Sequence, residues 1–330
     1  VPKSTTIGPI GELPPDSCWV LTDGAAGNRR QALALAEALT PSIREIVVGL
    51  RPPWSWFAPR ALPGARFALG RDQETLLPPW PKLAIGCGRQ AAWATRHIRR
   101  WSGGACLAVQ ILDPRIDPKH WDLVVAPRHD GLRGDNVLTP LGSLNPIDDA
   151  WLADGRDAFA HFALFPEPRL GVLVGGARHG SAFDVQASEA FLAAVRARHA
   201  REGGSVLVAV SRRTPAAILP RIREAFAGVP GVVWTGSADG PNPYPGILGW
   251  ADRLVVTPDS VNMLSEACAT GRPVLTKPTR PLPEKLARFH AELRAAGLLH
   301  DVDADTPEAQ PPLRETATIA AEVRKHLGLP

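Results

Sequence analysis

A repeated rhythm constrains this chain more than any other feature. Short apolar runs, each closed by a small polar or glycine-bearing loop, alternate with stretches of strong helix formers. Cys18–Thr22, Ile43–Val48, Leu83–Ile85, Leu107–Leu112 and Leu123–Ala126 read as strands, with helices over Arg30–Leu39 and Gln90–Arg100. Arg51–Pro63 is rich in Pro and Trp and reads as an irregular loop. After Pro166-Glu167-Pro168 the rhythm restarts. Leu170–Val174, Ser205–Val210, Val232-Val233, Arg253–Thr257 and Pro273–Thr276 read as strands. Ala187–Glu202, Pro215–Phe226 and Val261–Thr270 read as helices, and Glu315–Leu327 as a last one. Strand–loop–helix repetition predicts parallel α/β sheets. The restart predicts two of them: an N-terminal α/β domain over 1–166, a second over 167–312, and a C-terminal helix within 313–330. A length of 330 residues is enough for two such cores. Ligands of open α/β sheets bind outside the carboxyl ends of the strands, so a cleft between the two domains is expected there.

Charge narrows the partners. The chain has 37 Lys+Arg against 33 Asp+Glu, and the small excess is shared evenly by the two halves. That distribution gives little sign of the basic face or tail a nucleic-acid partner would need, so none is expected. Of the basic residues, 31 are Arg, the side chain suited to bidentate phosphate recognition. No apolar run is long enough to span a bilayer, and the first residues lack a signal-peptide pattern. The four cysteines (Cys18, Cys87, Cys106, Cys268) are scattered without CxxC spacing, which argues against a disulfide framework or zinc site. A cytoplasmic location is the expectation. Trp54, Trp56 and Phe57, flanked by Arg51 and Arg60, form an aromatic cluster. It reads as a packed loop or as a peripheral contact with the inner membrane surface.

Six segments are candidates to carry chemistry. Thr257-Pro258-Asp259-Ser260 leads from a strand into a helix, whose N-terminal amides and dipole favour an anion. Ser260 adds a hydroxyl, Met263 lies on the first turn, and Glu266 could accept hydrogen bonds from ribose hydroxyls. The plain alternative is that Asp259 or Ser260 caps the helix and Glu266 is a surface residue. Gly175-Gly176, before Ala177-Arg178, suits a backbone approaching a phosphate, or an ordinary tight turn. Ser211-Arg212-Arg213-Thr214 offers two guanidinium groups and two hydroxyls for a diphosphate, or a solvated turn. In the first half, Asp23–Asn28 with Gly24, Gly27 and Asn28, followed by Gln31, departs from GxGxxG, which lowers a dehydrogenase reading. His129-Asp130 is the one His-Asp pair at a strand end. Asn242-Pro243-Tyr244 is a turn that could shape a loop over a base or sugar. No HExxH, Walker A or GxSxG sequence occurs, and no clustered carboxylates suggest a metal or other cofactor.

The combined motifs resemble one family. They are Trp19-Val20-Leu21-Thr22-Asp23-Gly24, Ile85-Gly86-Cys87-Gly88-Arg89-Gln90, Val109–Arg115, Asp122–Asp130, Ser211–Pro215, Asn242–Tyr244 and Thr257–Glu266. The chain is similar to the bacterial and plant family named after a plant mitochondrial-fission factor, described as nucleoside-diphosphate-sugar epimerases or glycosyltransferases. Its second half also resembles the nucleotide-binding domain of GT-B glycosyltransferases, such as the peptidoglycan enzyme that adds N-acetylglucosamine to a lipid intermediate. The resemblance implies a GT-B-like α/β fold: two Rossmann-like parallel-sheet domains facing a central cleft. It implies a metal-independent glycosyltransferase of cell-envelope glycoconjugates, taking a UDP-type sugar and an unidentified acceptor, a lipid-linked one among the candidates. The alternatives are a nucleoside-diphosphate-sugar 2-epimerase and a non-catalytic membrane-associated adaptor. Gly175, Gly176, Ser211, Arg212, Arg213, Thr214, Asn242, Tyr244, Asp259, Ser260, Met263 and Glu266 would hold the donor, with Gly24, Gly27, Asn28 and Gln31 on the other side. Where the peptidoglycan enzyme has a His after its glycines, this chain has Asn28. His129, Asp130 and Asp113 are the substitute catalytic candidates.

Overall fold

A computed structural model describes residues 17–176, 184–305 and 307–329. The chain divides into two compact units. The first runs to Pro140 and recruits the chain again from Thr316; the second is Leu141–Glu315.

The first unit is built on β1 (Cys18–Thr22), β2 (Ile43–Val47), β3 (Leu83–Cys87), β4 (Leu107–Ile111), β5 (Leu123–Val125) and β6 (Val137–Leu138). They form one sheet in the order β2-β1-β3-β4-β5-β6, and every neighbouring pair is parallel. The principal helices are α1 (Ala26–Leu39) and α3 (Arg89–Trp101). Trp19 and Leu21 of β1 pack with Ala84, Trp93 and Ile98 in one core cluster. The stretch read as an irregular loop contains a single helical turn, α2 (Trp54–Phe57). β3 continues through Gly86 and Cys87. Gly86 is required there: a Cβ would lie 2.8 Å from both the Gln110 side chain and the Thr95 methyl. The last helix, Thr316–Leu327, packs on α1, and Arg324 donates to the carbonyl oxygen of Ala38.

The second unit repeats the scheme. Its strands are β7 (Arg169–Val174), β8 (Ser205–Val210), β9 (Gly231–Trp234), β10 (Arg253–Val256), β11 (Val274–Thr276) and β12 (His300–Asp301). Their order is β12-β11-β10-β7-β8-β9, again all parallel. Helices are α4 (Asp149–Ala158), α5 (Val185–Glu202), α6 (Leu219–Ala225), α7 (Tyr244–Trp250), α8 (Val261–Cys268) and α9 (Glu284–Ala295). Alternate strand residues feed two cores. Leu173, Leu207, Leu254 and Val256 join α4, α7, α8 and α9 on one face. Val172, Val174, Val206, Val208 and Val255 join α5 and α6 on the other. Apolar residues on both faces are what a doubly covered parallel sheet requires.

The second unit begins before the Pro-Glu-Pro punctuation. The Arg169 guanidinium donates to the carbonyl oxygens of Phe162 and Ala163, tying residues 160–164 to β7. The Glu315 carboxylate accepts from Leu141 N and Gly142 N, both at 2.8 Å, and so closes the unit at both ends. Among the described residues all four cysteines are free and buried. Burial pushes their thiols up, Cys106 to about 12, so they are inert core residues. No described helix is long and apolar enough to cross a membrane.

Candidate functional site

In each sheet the strand order reverses at one place. In the second unit that switch point lies between β7 and β10, where an open α/β sheet leaves its binding crevice. The loops that follow these two strands meet there. Gly175 N donates to Thr257 Oγ1 at 2.8 Å. A Cβ on Gly175 would lie 2.8 Å from that hydroxyl and 3.1 Å from Asp259 Oδ1. The loop after β8 closes the third side. Thr214 Oγ1 donates to the Gly175 carbonyl at 2.8 Å, and a Cβ on Gly176 would meet the backbone of Arg213 at 2.3 Å. The two glycines are therefore needed for three strand-end loops to approach one another. Thr257 and the burial of Thr214 were not anticipated as organising groups. A threonine at the carboxyl end of a strand is the signal that points to them.

The fourth element is α8. Ser260 Oγ accepts from Met263 N at 3.4 Å and caps the helix, as the plain alternative had it. The hydroxyl proton is not used by that bond and remains able to donate to an anion. The loop before it is held from below: His290 Nε2 lies 2.7 Å from the Pro258 carbonyl and is buried. Burial lowers His290 to about 4, so the ring is neutral and donates.

Glu266 is 4% exposed, so it is not a surface residue. Tyr244 Oη donates to its Oε2 at 2.6 Å. A buried carboxylate is costly unless hydrogen-bonded, and the one Tyr of the chain supplies such a bond. Tyr244 is itself buried at the start of α7, where its N–H donates to Asn242 Oδ1 at 3.1 Å. Asn242 thus forms a turn just ahead of α7 and is itself exposed, while Tyr244 supports Glu266. Arg212 and Arg213 are exposed; Arg213 N donates to Ser211 Oγ at 3.1 Å. Arg178 falls in 177–183, outside the described residues.

The first unit has its switch point between β1 and β3. Asn28 Nδ2 donates to both oxygens of Asp23, at 3.0 and 3.1 Å. Gly88, with φ of 97°, lies beneath it: a Cβ there would be 2.6 Å from Asn28 Nδ2. Gly24 lies in the loop and Gly27 in the first turn of α1, and the buried Gln31 donates to Gly27 O at 3.4 Å. Asp23 is an exposed carboxylate at this point, a candidate the motif reading did not single out. His129 Nε2 and Asp130 Oδ1 are 3.4 Å apart, so these neighbours do meet. His129 is 2% exposed, and the Asp130 carboxylate accepts from Asp113 N at 3.3 Å. The pair braces the loop after β4 from inside. Asp113 Oδ1 in turn accepts from Arg115 N at 2.7 Å. Leu112 and Arg115 both have positive φ, 72° and 59°, so this loop holds uncommon backbone conformations for non-glycine residues.

Two parallel-sheet units, each with its polar loops gathered at a switch point, define a GT-B-like α/β protein. Solved structures share the fold. One is a UDP-GlcNAc 2-epimerase of Methanocaldococcus jannaschii in complex with UDP-GlcNAc and UDP, with a TM-score of 0.55 and 9% identity over 93% of this chain and 98% of that one. Another is the UDP-GlcNAc 2-epimerase of Neisseria meningitidis bound to UDP-GlcNAc, with a TM-score of 0.52 and 11% identity over 93% and 98%.

Sequence assigns the family. Residues 26–327 match the family described as Mitochondrial fission ELM1, and the chain belongs to it. Mitochondrial fission protein ELM1 of Arabidopsis thaliana is 31% identical over 281 residues. That match covers 75% of this chain and 64% of the Arabidopsis protein.

Proposed function

We propose that this protein binds a nucleoside-diphosphate sugar through its second unit and transfers the sugar without a metal. The observation that carries this reading is the buried Tyr244–Glu266 bond beside the β7–β10 switch point. A helix N-terminus followed by a buried carboxylate in the helix's second turn suits the two ends of a nucleotide: the α8 amides and Ser260 for phosphate, Glu266 for ribose hydroxyls. Arg212 and Arg213 would meet charge developing on the departing diphosphate. A UDP-type donor is favoured by what the two epimerase structures contain. His129 and Asp130 are buried supports, so the role of proton acceptor passes to a more accessible carboxylate, Asp113 or Asp23. The acceptor is a hydroxyl-bearing molecule, with a lipid-linked one in keeping with the family resemblance.

Calorimetry with UDP-, GDP-, CMP- and dTDP-compounds tests the reading. Binding of UDP compounds by the wild type, weakened in Glu266→Ala, is expected; no binding to any member would end it. A second reading, 2-epimerisation, is favoured by the named activity of the fold neighbours. It needs no acceptor. Deuterium entering the sugar C2 from solvent with donor alone would select it over transfer.

A further inference from the structure

At the opposite edge of the first sheet lies a cavity of about 480 Å³. α3 leaves the carboxyl end of β3 and returns to the amino end of β4. Its last turn therefore sits at the amino-terminal edge, away from Asp23, Gly88 and Asp113. Arg96, Arg99, Arg100, Lys119 and His120 line the cavity, and no carboxylate does. Arg99 donates to Asp122 at 2.9 Å and is committed to that ion pair. Arg96 donates to the Pro59 carbonyl at 3.2 Å. Neither Arg100 nor Lys119 has an ion-pair partner among the described residues. Burial and the neighbouring Arg100 lower the Arg96 guanidinium, and burial, Arg96 and Arg99 lower His120 against the opposing pull of Asp117, as expected where cations outnumber their counter-charges. Such crowding in a concave wall is unfavourable until an anion enters it, and Arg forks suit phosphate oxygens.

We infer that this cavity is a binding site for a phosphomonoester or pyrophosphate group, separate from the nucleotide site proposed above. The phosphate can belong to a soluble metabolite or to a phospholipid headgroup. The segment that forms the cavity wall at Ala61 also carries Trp56, Phe57 and Phe67, which are 69%, 48% and 54% exposed.

The test uses the full chain, with Arg100→Gln plus Lys119→Gln as the variant. Both side chains are exposed, so the fold is expected to survive, and circular dichroism checks it. Arg100→Lys plus Lys119→Arg keeps the charge and should keep binding. Pyrophosphate is titrated by calorimetry at low salt, and vesicles of phosphatidylcholine with and without phosphatidic acid are floated in parallel. Pyrophosphate affinity falling about tenfold or more in the Gln variant and kept in the charge-preserving one supports a soluble ligand. Flotation that needs phosphatidic acid and is lost in the Gln variant supports the headgroup. No response to either probe, or responses the Gln variant leaves intact, overturns the site whether or not UDP compounds bind.

Discussion

The two units obey one topological rule and use it differently. Each sheet reverses its strand order once, and each reversal collects polar loops. In the second unit those loops are locked: Gly175, Gly176, Thr214 and Thr257 interdigitate at backbone distance, and Glu266 is buried on Tyr244. In the first unit the switch point carries an exposed Asp23–Asn28 pair. Its buried polar pair, His129–Asp130, sits two strands away behind the β4 loop. Binding a nucleotide rewards the first kind of construction, because a preorganised pocket loses little entropy on closing. Accommodating an acceptor is compatible with the second.

The sharpest way to break this contrast is Gly176→Ala. The added methyl would fall on the Arg213 backbone, which cannot swing aside as a side chain tip would. Overpacking of this kind costs about 1–3 kcal/mol, and the upper end is expected. Thermal melting should show it, with nucleotide binding lost alongside. A wild-type melting curve would mean that the three loops are loose and the two switch points alike. Glu266→Ala comes next. It strands the buried Tyr244 hydroxyl at a cost of about 1–3 kcal/mol and removes the proposed ribose acceptor. Glu266→Gln keeps an acceptor for Tyr244, so its stability should stay within about 1 kcal/mol of wild type while UDP affinity still drops. Equal stability losses in both variants would show that the negative charge itself holds the fold.

The alternating architecture was legible from the sequence, because apolar runs that end in glycine or polar loops have few other uses. Strands β1 and β8 fall where the runs put them. What stayed hidden has physical causes. Helices α4 and α7 have poor intrinsic propensity, with Gly155, Gly246 and Gly249 inside them. They exist because those glycines let them pack closely: a Cβ on Gly155 would be 2.6 Å from the Pro245 carbonyl, and one on Gly246 2.5 Å from Phe159. Helix α9, from Glu284, is amphipathic and carries an ordinary helix signal. At the site, Gly175, Gly176, Asp259, Ser260 and Glu266 were visible as a strand-end pattern. The partners that bury and orient them, Thr257, Tyr244 and His290, are distant in sequence and needed the fold.

Acidification probes both units together, since each holds a buried histidine whose charged form is disfavoured by burial. Burial lowers His97 in the first and His290 in the second to about 4. An unfolded histidine titrates near 6.5. Between those values the unfolded chain binds more protons, so stability rises with pH there and is lost as pH falls from 6.5 toward 4. Each residue is linked to roughly 3 kcal/mol at full protonation. Melts from pH 7 to 4.5 should fall steeply, and His290→Gln should flatten part of the slope. Because the folded His290 ring stays neutral down to about 4, its hold on Pro258 should add no decline in UDP affinity over that window in the wild type. A flat stability profile would show that neither ring is as enclosed as its surroundings imply.

The smallest expected effect is the most informative about the first unit. Asn28→Ala removes two hydrogen bonds to Asp23, but both partners are near solvent and water replaces what is lost. Stability should change by no more than about 0.5 kcal/mol. If the loop serves the reaction, turnover should fall well beyond that, since Asn28 orients the Asp23 carboxylate over Gly88. The readout is the split between melting temperature and kcat once the donor is known. A stability loss above about 1 kcal/mol with unchanged turnover would make this loop a structural lock like that of the second unit. The difference between the two switch points would then be one of solvent exposure, with no division of chemical labour behind it.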